Sequence, residues 1–319
     1  MDTQSPTSAT PPSLAFESLS VIPELNPRTG LPLKPDWLKV PKVSGDTLYQ
    51  IKRGLRNDQL FTVCEEARCP NISECWNAGT ATFMILGEVC TRGCRFCAVK
   101  TGNPGGWLDP HEPEKVANQI SQMSLQYAVI TMVDRDDLPD FGSQHIQAVL
   151  AAVQQKNPQL KVELLAGDFR GNADHVQKVL WAKRPLDVFA HNIETVQRLT
   201  PRVRDARATY GRSLEVLAAV KALQPKIFTK SALMLGLGEE SAEIHQSLVD
   251  LRQHHVDILT IGQYLQPSKK HLSIKRFVHP SEFDHWKEVA LQLGFKAVAS
   301  GPLVRSSYKA SHLFPDTFG

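Results

Sequence analysis

At 319 residues and 42% hydrophobic, the chain is long enough for one large α/β domain or two smaller ones with a sizeable core. Thirty-six Lys and Arg against 33 Asp and Glu leave a formal charge of only +3, and no basic run is interleaved with aromatics, so a dedicated nucleic-acid binder is disfavoured. No stretch approaches eighteen uninterrupted apolar residues, and residues 1–27 carry no Lys or Arg, which argues against a membrane span, a secretory signal and a mitochondrial presequence; the expected compartment is the cytoplasm.

In chain order, residues 1–23 are rich in Ser, Thr and Pro and read as a disordered tail. Prolines at 23, 27, 32, 35 and 41 then impose an extended path, with Trp37 and Leu38 as anchors against a surface. A short helix is expected around Asp46–Asn57. Beyond it, apolar runs predict strands at Ala81–Val89, Tyr127–Val133, Leu160–Ala166, Leu186–Ala190, Ile227–Leu235 and Val256–Ile261, with a shorter one at Lys296–Ala299. Helical spacing appears between them. Ile244, Leu248 and Leu251 recur at i, i+4 and i+7, as do Phe283, Trp286, Ala290 and Leu293 farther on. Strand-then-helix repeats predict a parallel sheet with helical crossovers, and six units favour a partial (βα)6 TIM-type barrel over a full eight-unit one. The expected organisation is a tail at 1–23, an N-terminal extension at 24–80, the barrel at 81–295 and a covering C-terminal segment at 296–319.

All six cysteines fall within residues 64–97, in two triplets: Cys64, Cys69 and Cys75, then Cys90, Cys94 and Cys97. A reduced compartment makes disulfides the lesser reading, and the crowding does not suit buried thiols used as small hydrophobes. Two sets of three thiolates resemble two metal clusters, each one ligand short. Cys90 directly follows the first apolar run, which places it at the C-terminal end of a strand, where parallel α/β proteins build their sites. Three thiolates can hold a [4Fe–4S] cluster and leave one iron open for a substrate or cofactor. The competing reading is zinc, but the paired knuckles or Cys-with-His arrangements of zinc clips are missing, and His111 follows a Gly/Pro-rich loop.

Cys90-x3-Cys94-x2-Cys97, with Phe96 before the last cysteine, resembles the signature loop of the radical S-adenosylmethionine enzymes. In that superfamily the open iron chelates the methionine moiety. Adding Cys64-x4-Cys69-x5-Cys75 narrows the likeness to the lipoyl synthase family, over about residues 35–311. Val133-Asp-Arg-Asp-Asp-Leu138, His191-Asn-Ile-Glu-Thr195, Leu233-Met-Leu-Gly-Leu-Gly-Glu239, Gln263-Tyr-Leu-Gln-Pro-Ser268 and Gly301-Pro-Leu-Val-Arg-Ser-Ser-Tyr308 carry it further.

This resemblance implies two [4Fe–4S] clusters and S-adenosylmethionine. Cys90, Cys94 and Cys97 would hold the catalytic cluster; Cys64, Cys69, Cys75 and the distant Ser307 would hold an auxiliary cluster that is spent as sulfur source. A serine oxygen is a harder, poorer match for cluster iron than thiolate, which suits a ligand that must let go. The resemblance also implies cofactor contacts at Asp134, Arg135, His191, Asn192, Gly236 and Glu239. Lys230 and Arg305 are further candidates for a carboxylate or the protein substrate. The implied substrate is an octanoyl group on a lysine of a lipoyl carrier domain, from a 2-oxoacid dehydrogenase or the glycine-cleavage carrier. Ferredoxin or flavodoxin is the implied electron donor, and a monomer the expected state. Met132, Phe141, Ala190 and Ala232 depart from the family pattern, which has a small hydroxyl residue, Gly, Asn and Gly there. Two alternatives stand beside this reading: a radical sulfur-insertion enzyme with another substrate, and a non-catalytic zinc module.

Overall fold

The structure, a computed structural model, describes residues 19–40, 53–56, 58, 60–66, 69, 71–77, 80–308 and 310–313. The expected tail lies outside the described residues as far as 18, and so does most of the helix expected at Asp46–Asn57.

One sheet organises the chain. Its strands are β1 (Phe61–Thr62), β2 (Thr80–Ile85), β5 (Tyr127–Met132), β6 (Lys161–Leu165), β7 (Val188–Ala190), β8 (Phe228–Leu235), β9 (Ile258–Gln263) and β10 (Ala297–Gly301), neighbours in that order. Every pairing from β2 to β10 is parallel, and only β1 runs against its neighbour β2. The order does not return from β10 to β2, so the barrel is partial, as expected. A separate parallel pair, β3 (Val89–Cys90) and β4 (Lys100–Thr101), stands outside it.

Helices cover the sheet because their apolar stripes need a partner. Ile244, Leu248 and Leu251 of Ser241–Gln253 are fully buried, and so are Phe283, Trp286 and Ala290 of Pro280–Gln292. The first of these helices starts on a capping box between Glu240 and Glu243; the second starts with Pro280, whose missing N–H costs nothing there.

Two expectations need correction. The run Ala81–Val89 is not one strand: β2 stops at Ile85, and Leu86 (φ 69°) and Gly87 (φ 91°) turn the chain before β3 begins. Left-handed backbone cannot continue a strand. Cys90 therefore lies on β3, one turn beyond the barrel strand. The proline-rich segment is likewise not simply extended. Leu25 bridges Pro32 across a tight reversal closed by Gly30 N–H to Asn26 O at 2.7 Å. Leu38 is buried, and Trp37 meets His279 edge-on, so the anchoring role holds.

The opposite ends of the barrel differ. At the N-terminal end, the short helix Ala310–Leu313 packs Ala310 on Tyr127 and Val129 and Leu313 on Val188, Phe228 and Ile258. Near it, Lys230 Nζ lies 2.9 Å from both Glu163 oxygens, and Tyr127 Oη donates to Glu163 Oε2 at 2.7 Å. Lys230 is 2% exposed and fully committed to this pair, so it does not serve as the substrate contact suggested by sequence. The C-terminal end opens into a cavity.

Candidate active site

The loop from Cys90 to Cys97 is pinned on every side. β3 and β4 close its base through Val89↔Lys100 and Cys90↔Thr101. Thr91 Oγ1 donates to Asp134 O at 2.8 Å, and Arg95 N–H to Val203 O at 2.9 Å. His271 Nε2 meets Cys97 O at 3.0 Å, while its Nδ1 meets Ser268 Oγ at 2.8 Å. Arg92 is the central peg. It is 4% exposed, grips Asp136 through Nε and Nη2 at 2.9 and 3.2 Å, and reaches Asp168 Oδ1 at 2.7 Å. Burial alone would raise the Asp136 carboxyl; hydrogen bonds from Arg92 and Arg170 overcome it and hold the group well below the carboxylate range.

The loop faces a cavity of about 1530 Å³ lined by Cys90, Cys94, Cys97, Asp134, His191 and Asn192, and also by Cys64, Cys69 and Ser307. Cys64, Cys69, Cys75 and Ser307 together line a second, small cavity beside it. Cys64, Cys69 and Ser307 thus open onto the same cavity as the second triplet, with Cys75 set behind them. Ser307 arrives because the segment after β10 crosses the gap in the barrel: Asn71 Nδ2 donates to Leu303 O at 2.7 Å, Thr82 Oγ1 to Ser307 Oγ at 2.9 Å, and Tyr308 Oη to Glu74 Oε2 at 3.2 Å.

Burial keeps these thiols from acting as free nucleophiles. Burial, with the Asp134 charge nearby, pushes Cys90 up to about 11, and burial pushes Cys94 up to about 12. Cys64 rises to about 11 through burial and the neighbouring Cys69. Such sulfurs stay protonated until a metal replaces the proton. Backbone N–H groups of Arg92 and Asp205 point at Cys90 and Cys94 sulfur at 3.4 and 3.3 Å, as donors to thiolates should. Three thiolates in each group are the donor type that iron–sulfur clusters use.

The expected cofactor contacts divide. Asp134 lies on the cavity wall, its carboxyl pushed up to about 6 by burial against the pull of Arg92. Asn192 is there too; its Nδ2 donates to Glu194 at 3.1 Å, but its buried Oδ1 has no protein partner. His191 lines the wall with both ring nitrogens used, Nδ1 on Ala166 O at 2.8 Å and Nε2 on Ser213 Oγ at 2.9 Å. Burial, and then Arg204, lower its pKa to about 4, so it is a neutral scaffold and not a base.

Arg135, Gly236 and Glu239 are not among the lining residues. Arg135 turns its guanidinium to Leu86 O, Trp107 O and Asp137, and so braces the loops around the radical loop. Glu239 accepts from Gly236 and Leu237 N–H at 2.5 and 2.9 Å, holding its own turn. A side chain at Gly236, where φ is 102°, would meet the Arg276 backbone carbonyl at 2.6 Å, so that glycine is required.

Several residues that sequence reasoning missed also belong here. Arg92 sat between two cysteines with no spacing signal of its own, and Asp168 and Arg204 lie in unremarkable stretches. Glu194, on the wall at φ 67°, was inside the His191–Thr195 motif and could have been singled out. Of the departures from the family pattern, Met132 and Ala232 line the cavity, and Phe141 takes φ 54°, a conformation that explains the usual glycine.

Comparison with known proteins agrees with this geometry. Residues 84–251 match the Radical SAM superfamily, so fold and site together define a radical SAM enzyme. Among solved structures, the FeFe-hydrogenase maturase HydG from Carboxydothermus hydrogenoformans superposes with a TM-score of 0.55 at 11% identity, covering 79% of this chain and 65% of that one; this likeness speaks for the fold alone. The mitochondrial lipoyl synthase of Schizosaccharomyces pombe is 54% identical over 285 residues, covering 88% of this chain and 76% of the relative. The lipoyl synthase of Legionella pneumophila is 53% identical over 281 residues, covering 88% and 85%. The chain belongs to the lipoyl synthase family.

Proposed function

We propose that this chain inserts two sulfur atoms, at C6 and C8, into an octanoyl group held in amide linkage on a lysine of a lipoyl carrier domain. The observation that carries this reading is the shared mouth: Cys64, Cys69 and Ser307 line the same cavity as Cys90, Cys94 and Cys97, with Cys75 behind them in the adjoining small cavity. Cys90, Cys94 and Cys97 hold a [4Fe–4S] cluster with one iron left for S-adenosylmethionine. Cys64, Cys69, Cys75 and Ser307 hold a second cluster, which is consumed as the sulfur-donating substrate. When bound and reduced, the first cluster and S-adenosylmethionine supply a primary-carbon radical able to remove hydrogen from an unactivated C–H bond.

The protein's own contribution is positioning and exclusion of water. Arg92 holds the signature loop rigid between Asp136 and Asp168. Asn192 Oδ1 and the Asp134 carboxyl offer acceptors to the charged methionine end, and neutral His191 keeps the wall in place without competing for protons. Arg135, Gly236 and Glu239 act through the loops they brace. The apolar lining, with Met132, Leu165, Ala232 and Leu233, suits an eight-carbon chain.

The carrier is a lipoyl domain of a 2-oxoacid dehydrogenase or the glycine-cleavage carrier, and a small iron–sulfur or flavin protein supplies electrons. This function places the chain in a reducing compartment, the cytoplasm, where thiols are kept for metal rather than for disulfides. No helix among the described residues is long and apolar enough to cross a membrane. The decisive experiment incubates an octanoylated carrier peptide with anaerobically reconstituted protein, reductant and S-adenosylmethionine, followed by mass spectrometry. Gain of two sulfurs is expected, from protein holding about eight irons, four per cubane. A protein that loads both clusters and cleaves S-adenosylmethionine, yet adds no sulfur to this peptide, would sink the substrate assignment.

A further inference from the structure

Thr82 stands between two of the four groups assigned to the sulfur-donating centre. It is 3% exposed, in the middle of β2, and lines the small cavity with Cys64, Cys69, Cys75 and Ser307. Its Oγ1 donates to Ser307 Oγ at 2.9 Å across 225 residues of sequence, and Cys64 lines the same small cavity. β2 is a rigid platform for this, paired with β1 through Thr62↔Phe83 and with β5 through Thr82↔Val129.

We propose that Thr82 is a positioning residue that holds the Ser307 oxygen over the first cysteine triplet. The inference rests on the reading of Cys64, Cys69, Cys75 and Ser307 as a cluster site. When the serine binds iron, its Oγ–H bond breaks, the proton goes to water, and an Fe–O bond forms with no change of oxidation state. A buried oxygen needs a hydrogen-bond partner to keep its place, and the Thr82 hydroxyl on β2 supplies one in advance. Without that bond the Ser307 side chain loses its anchor on this strand.

The test uses the full chain with Cys90, Cys94 and Cys97 changed to Ala, so that only the first centre loads. Iron per chain and its release to a chelator are measured anaerobically, without S-adenosylmethionine or reductant. Thr82→Val should release iron about tenfold faster than this parent, the size expected for one hydrogen bond to a charged group. Thr82→Ser, which keeps the hydroxyl, should stay within about twofold of it. With Ser307→Ala added, Thr82→Val should have no further effect, a result that a merely structural role would not produce. Release at the parent's rate by Thr82→Val, or an equal effect with and without Ser307, overturns the inference. If the parent itself takes up no iron, the cluster reading beneath it fails first.

Discussion

Arg92 Nη2 lies 2.7 Å from Asp168 Oδ1, so the loop that carries Cys90, Cys94 and Cys97 is tied to the residues just past β6 by a buried ion pair. Asp136 shares the same guanidinium at 2.9 Å. Asp136 keeps Arg170, but without Arg92 the fully buried Asp168 loses its one close cation. Arg92→Met should destabilise the apoprotein by about 3 kcal/mol, the usual cost of breaking a buried pair from one side. Denaturant unfolding checks it; a loss below about 1 kcal/mol would show that water already screens the cluster.

The two cysteine triplets should fail differently. Cys94→Ala is expected to abolish S-adenosylmethionine cleavage and lipoyl product together. Cys69→Ala should cleave S-adenosylmethionine and release methionine, yet insert no sulfur. Product analysis by mass spectrometry separates the two, and lipoyl product from Cys69→Ala would mean that the sulfur comes from elsewhere.

His191 sets a pH dependence. Its folded pKa, about 4, lies below the ordinary value of 6.5 because it is buried. The unfolded chain therefore takes up a proton near pH 6.5 that the folded chain refuses until about pH 4. Stability from this residue is full above pH 6.5 and falls as pH drops towards 4, by roughly 3 kcal/mol in all. His191→Gln should flatten that part of the apoprotein's stability curve between pH 6.5 and 4. An unchanged slope would place its protonation elsewhere.

Gly262 on β9 lies under the C-terminal segment, and a side chain there would meet Val304 O at 2.1 Å. Backbone cannot yield as a side chain tip can. Gly262→Ala should push Val304 and the following Arg305–Ser307 out of place, costing about 1–3 kcal/mol. Sulfur insertion should fall at least severalfold while S-adenosylmethionine cleavage persists. Equal losses in both activities would show that the push spreads across the barrel.

Much of the fold was legible because its periodicities are local. Ile244, Leu248 and Leu251 face one way on any helix, and the structure buries all three. Runs such as Tyr127–Val133 and Val256–Ile261 announce strands by composition, and each became one to within a few residues. The break at Leu86 and Gly87 was not visible, since Leu seldom adopts positive φ and an apolar run reads straight through it.

The sequence by itself determined how many sulfurs there are, how they are spaced and which side chains could join them. Those are matters of neighbours within one loop. Which distant groups meet was decided only by tertiary structure. The opening between β1 and β10 lets the C-terminal segment bring Ser307 onto Thr82, 225 residues away in the chain. The same packing turns Arg135 away from the cavity and commits Lys230 to Glu163. Spacing along a chain encodes contacts made within a turn or two; contacts across a barrel depend on strand order and on where closure stops.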